Sequence, residues 1–117
     1  MKVKGKVCFG PSDIVYDMTE VEKAWNAFTA GKRTIPLHLN FTDEVVGSIL
    51  VEGCSIEKDG VHIEAETDEL PRGMGAKCQV IRHKLLPRGK MLVKKMLIEQ
   101  VSTVDEPLEG GECEKID

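Results

Sequence analysis

The chain has 117 residues and a formal net charge of −4, with 41% apolar and 31% charged residues. That length is material for one domain, and the apolar share excludes a chain disordered throughout. No apolar run approaches the roughly 18 residues of a membrane-spanning helix, and the acidic balance argues against a dedicated nucleic-acid binder.

Met1 to Phe9 alternates, with Val3, Gly5, Val7 and Phe9 on one face and Lys2, Lys4, Lys6 and Cys8 on the other. Period two predicts a half-buried strand. The lysines have no apolar stretch behind them, so the segment does not read as a secretory signal. Gly10-Pro11-Ser12-Asp13 then breaks the strand. The helix is predicted near residues 20–30. Thr19 and Glu22 have capping-box spacing, and Val21, Trp25 and Phe28 share a face with Ala24 beside them. Gly31 supplies a left-handed stop.

From Ile35 onward the pattern is strand. Ile35, Leu37, Leu39 and Phe41 alternate with Pro36, His38 and Asn40. Val45 to Val51 is a more continuous apolar run. Lys58-Asp59-Gly60 reads as the turn of a hairpin joining residues 49–57 to 61–67. A second pair, 76–83 with 90–101, surrounds Leu86-Pro87-Arg88-Gly89. Lys94-Lys95 interrupts its alternation, which predicts a bulge or bend. After Val104 the chain turns acidic and glycine-rich. The reading is therefore one β-rich domain over 1–105 and a disordered tail over 106–117. The fold class is mainly β: a small antiparallel barrel or strongly bent sheet with one α-helix.

Charge is uneven. Residues 72–95 carry Arg72, Lys77, Arg82, Lys84, Arg88, Lys90, Lys94 and Lys95 without an acid, whereas 43–69 is acidic with Lys58 the lone base. Opposite charges pairing across strands would account for this; steering of self-assembly or of a partner is the other reading.

Cys8, Cys54, Cys78 and Cys113 include no CxxC, so neither a zinc knuckle nor any other metal site is expected. The even count permits two disulfides, but free thiols in a reducing cytosol fit a chain read without a secretory signal. No phosphate loop, GxSxG elbow or HExxH occurs, and no cofactor is implied. His38, His62 and His83 fall on polar strand faces, where a histidine is usually solvated. Cys78 shares strand parity with Ala76 and Val80, as a small buried hydrophobe would. Ser48 and Ser102 lie in or near strands, and neither shows a partner base in sequence.

Two segments carry a resemblance. Ile35-Pro36-Leu37-His38-Leu39-Asn40-Phe41, then Val45-Val46-Gly47-Ser48 and Lys58-Asp59-Gly60-Val61-His62-Ile63, is similar to the central part of the tailed-phage prohead proteases. Glu99-Gln100-Val101-Ser102-Thr103-Val104-Asp105-Glu106-Pro107 resembles that family's "EVSLVDEPA" segment. The likeness spans about Ile35 to Pro107. It implies a herpesvirus assemblin-like fold and a serine peptidase that matures capsids. The family's histidine register falls on Asn40, with His38 two residues early on the same face. The family's "xSxGF" strand matches Gly75-Ala76-Lys77-Cys78-Gln79-Val80, which has no serine. Gln100 takes the register of the supporting carboxylate, and Glu99 is displaced by one.

Transferred to this chain, the resemblance implies Cys78 as nucleophile, His38 as general base and Glu99 as its orienting group. The departures leave two alternatives, a thiol peptidase or a catalytically degenerate capsid-assembly protein. The partner implied is a capsid or scaffold chain, in a bacterial host's cytoplasm or on the virion. A different class remains open beside it: a non-catalytic β-barrel module that docks a protein or self-associates. Single-stranded nucleic acid fits poorly, because no aromatic follows Ala65 to serve as a stacking platform.

Overall fold

The computed structural model describes residues 1–10, 13–107 and 111–116. The strands are β1 (Lys2–Cys8), β2 (Ile14–Tyr16), β3 (Thr34–Leu39), β4 (Val45–Leu50), β5 (Ser55–Glu57), β6 (Gly60–Thr67), β7 (Gly73–Leu85), β8 (Met91–Val104) and β9 (Glu114–Lys115). One helix, α1 (Met18–Thr29), lies between β2 and β3. Six strands close into a ring, β1–β6–β4–β3–β8–β7 and back to β1, so the mainly β barrel is what the alternation predicts. Most pairings are antiparallel, but β3–β8 and β1–β7 are parallel, as is β2–β8 outside the ring.

Each strand puts one face inward, which is why period two was visible. Val3 and Val7 of β1, Ile35 and Leu37 of β3, Ile49 of β4, Ile63 of β6 and Met74 of β7 are buried together. Trp25, Val21 and Ala24 of α1 join that core, and the helix packs chiefly on β8. Its cap differs from the predicted box. Asp17 is the N-cap residue, and its carboxylate accepts from the Thr19 N–H at 2.8 Å. Thr19 lies inside the first turn. Gly31 does adopt the left-handed backbone, at φ 71°.

The predicted 49–57 arm of the first hairpin is interrupted. β4 stops at Leu50, a one-turn 3-10 helix covers Val51–Gly53, and the short β5 pairs with β6. β7 and β8 form one long hairpin with register shifts at Lys77/Cys78 and on both sides of Arg82. The shift between Arg82 and His83 leaves Lys94 without a cross-strand partner, between Val93 and Lys95, where the sequence predicts a bulge.

Cross-strand neutralisation holds on one wall and fails on the other beyond the Lys77–Glu99 pair. Lys2 and Lys4 of β1 stand opposite Glu66 and Glu64 of β6. The basic strands β7 and β8 pair with each other, and Arg82 faces Lys95 directly.

The tail expected to be disordered beyond 105 does not behave as one unit. Residues 108–110 and 117 lie outside the described residues. Residues 111–116 return to the barrel: Glu114 and Lys115 pair with β1, and Glu112 bridges to Gly73. Cys113 is buried in the core. Gly5 makes room for it, since a Cβ there would stand 2.9 Å from the Cys113 sulfur. Burial pushes that thiol up to about 11.

Candidate functional site

The parallel pairing of β3 with β8 joins the two segments that carry the family likeness. His38 stands opposite Ser102, and Leu37 and Leu39 flank it against Val101 and Thr103. After Leu39 the chain turns sharply through Asn40 and Phe41, both at positive φ (45° and 59°). Phe41 therefore leaves the inward face that simple alternation gave it and lies over the outside of β7 and β8.

Polar groups of β8 hold this turn. The buried Ser102 hydroxyl donates to the His38 carbonyl at 3.0 Å and accepts from the Phe41 N–H at 2.6 Å. The Gln100 amide donates to the Thr42 carbonyl at 3.2 Å, and His38 Nδ1 donates to the same carbonyl at 2.9 Å. A carbonyl oxygen only accepts, so Nδ1 carries a proton, and in the neutral ring the lone pair is then on Nε2. That is the tautomer a general base needs.

Beside His38 this row presents no side chain free to act as a nucleophile. Across β8 from His38, at the level of Ser102, β7 presents Gly75, and β1 beyond it presents Cys8. The row thus reads His38, Ser102, Gly75, Cys8 over four adjacent strands. Ser102 is committed to backbone groups, and Gly75 has no side chain. A Cβ on Gly75 would meet the Phe41 ring at 3.3 Å and Val104 at 3.1 Å. Phe41, Gly75, Val104 and Cys8 line a shallow outer cleft of about 490 Å³.

The predicted trio of His38, Cys78 and Glu99 does not assemble. Cys78 pairs with Ile98, four residues back along β8 from Ser102. At the usual strand rise that is about 13 Å along the strand, plus about 10 Å for two strand spacings across it. Cys78 packs with the core, in line with its parity to Ala76 and Val80. Burial, with a smaller contribution from the Glu99 charge, pushes its thiol up to about 12. Glu99 is bulged out of the ladder and exposed, 3.9 Å from Lys77 Nζ. Gln100, at the family's carboxylate register, is the residue beside His38. The bulge turns Glu99 out of the β7–β8 ladder, so Glu99 does not stand in for Gln100 beside His38.

The other histidines are surface groups. His62 Nε2 lies 2.7 Å from Asp59, whose carboxyl it holds below the usual range. Among the described residues no group of three or more His, Cys, Asp or Glu is placed to hold a metal ion. No helix among them is long and apolar enough to cross a membrane. No family model, curated protein or solved structure matches the chain.

Proposed function

We propose that the chain is a phage or prophage capsid-assembly protein of the prohead-protease-like fold that binds a capsid or scaffold chain and does not cleave it. One observation carries this reading: the row His38, Ser102, Gly75, Cys8. It sets a base-ready histidine beside the strand that resembles "EVSLVDEPA". At the neighbouring strand's matching position it has a glycine where a nucleophile would stand. Gln100 in place of a carboxylate points the same way, because an amide cannot stabilise the imidazolium that proton transfer creates. A hydrolase needs every member of such a set, whereas a binding protein needs the barrel and its outer cleft. The same row suits a non-catalytic module without a capsid role less well, since that role gives no reason for His38 and the "EVS"-like strand to pair.

Thiol and serine labelling tests the loss of catalysis. Because the Cys78 thiol is raised to about 12, it stays protonated far above neutrality. Its stabilising effect is complete below the ordinary thiol range near 8.5 and is lost as pH rises toward the raised value. Iodoacetamide at about pH 7 should leave Cys78 unmodified in the folded protein. A fluorophosphonate should leave Ser48 and Ser102 unmodified. A phage capsid precursor mixed with the protein should co-sediment with it and keep its length. Cleavage of that precursor, or Cys78 labelling that disappears in His38→Ala, overturns the reading.

A further inference from the structure

The β7–β8 hairpin continues past the barrel as an arm whose chemistry nothing among the described residues answers. Residues 81–85 of β7 are all exposed, Leu85 at 74%. Arg82, Lys84, Arg88, Lys90, Lys94 and Lys95 surround this apolar end, and every one is exposed. None of them makes an ion pair among the described residues. Arg82 lies directly across from Lys95, a like-charge pairing that costs stability.

The other end of β8 is the chemical inverse. A cleft of about 530 Å³ is lined by Glu44, Asp68, Glu69 and Asp105, with Arg72 the one cation among its described lining residues. Val45 and Leu70 add apolar wall and are 55% and 49% exposed. None of these four carboxylates is in an ion pair among the described residues. The arm tip adjoins Met91 and the cleft adjoins Val104, the two ends of β8. Fourteen residues of strand separate them by roughly 40 Å, close to the molecule's longest extent of 43 Å. An arm therefore cannot reach its own cleft.

We propose that the arm of one copy docks into the cleft of a second copy, head to tail. Leu85 seats against Val45 and Leu70, while Lys84 and Arg88 face Asp68 and Glu69. Apolar contact and opposite charge then coincide, so each end supplies what the other lacks. A symmetric arm-to-arm pairing would instead set Arg82 and Lys84 against their own copies. A nucleic-acid strand would meet an arm without one aromatic side chain. Head-to-tail contact is heterologous: each added copy leaves one arm and one cleft free, so growth continues until a ring closes. This inference does not depend on the capsid-assembly reading.

Analytical ultracentrifugation decides it. The parent chain should show a mass that rises with concentration and falls to that of the monomer in high salt, where exposed charges are screened. The double variants Lys84→Glu/Arg88→Glu and Asp68→Lys/Glu69→Lys alter exposed side chains and should keep the parent circular-dichroism spectrum. Each should associate more weakly by about tenfold or more. Mixed together, they should regain association, because the normal cleft of the first accepts the normal arm of the second and the reversed arm and reversed cleft are again opposite in charge. A parent that stays monomeric to millimolar concentration overturns the proposal. So does an arm variant that associates as well as the parent, or a mixture that regains no association.

Discussion

At its barrel end β7 buries Gly73, Met74 and Gly75, and β8 opposite them buries Val101, Ser102 and Thr103. At its arm end β7 buries nothing from Ile81 to Leu85. β8 there buries Val93 and Met96, covered from the side by β2 and α1. The same hydrogen-bonded ladder runs through both halves. A backbone hydrogen bond contributes little net stability, since water would satisfy the same groups. What separates the two ends is what covers the side chains. A two-stranded ribbon alone is marginal in water, so the arm is held by its β8 side, through Ile14–Tyr16 and the helix.

The strongest way to break this contrast is to remove the cover from β8. Trp25 is 3% exposed and stacks obliquely on Phe28 with ring centroids 5.9 Å apart. Trp25→Ala should cost about 3–5 kcal/mol, read from denaturant unfolding at an unchanged m-value. A cost near 1 kcal/mol would mean that α1 does not seal the barrel.

Next in size is Ser102→Ala, which acts at the barrel end without removing apolar volume. The variant leaves the His38 carbonyl and the Phe41 N–H without their hydroxyl partner in a part-buried site. The expected cost is about 1–3 kcal/mol. Amide exchange at Phe41 should quicken more than exchange at Val101. Equal protection in variant and parent would show that Thr103 and Gln100 hold the turn alone.

These two residues also mark what was legible in sequence. Trp25 could be placed because helical spacing reports a buried stripe directly. The barrel was legible for the same reason, as Val3, Val7, Ile35 and Leu37 each recur at period two and all prove buried. Ser102 could not be placed, since its role rests on a parallel pairing of β3 with a strand more than sixty residues away. The distance of Cys78 from His38 could not be read either, because only the long-range pairing of Gly75 with Ser102 shows that Cys78 stands three residues along β7 from the level of His38. The return of Glu114–Lys115 to β1 had no apolar alternation to announce it. Cys113 filling the space beside Gly5 is its apolar anchor.

A smaller effect sharpens the helix. Asp17→Ala removes the carboxylate that accepts from the Thr19 N–H and should cost about 1 kcal/mol. Thr19→Ala should cost close to nothing, because its side chain is exposed and caps no group among the described residues. Equal costs, again from denaturant midpoints, would restore the Thr19–Glu22 box.

The smallest expected effect belongs to the arm. Leu85 is 74% exposed, so folding of a single chain removes little of its surface from water. Leu85→Ser should change unfolding stability in dilute solution by no more than about 0.5 kcal/mol, the range of ordinary surface substitutions. Met74→Ala, on the same strand but fully buried, should cost about 2–5 kcal/mol. The ratio between the two measures the contrast between barrel and arm within one element. Repeating Leu85→Ser where copies associate separates two origins of any change. If Leu85 is buried by a second copy, the variant's midpoint should trail the parent's increasingly as concentration rises, since binding to the folded state stabilises it by mass action. If the difference is large and independent of concentration, the arm is packed by its own chain, and the two halves of the hairpin are alike after all.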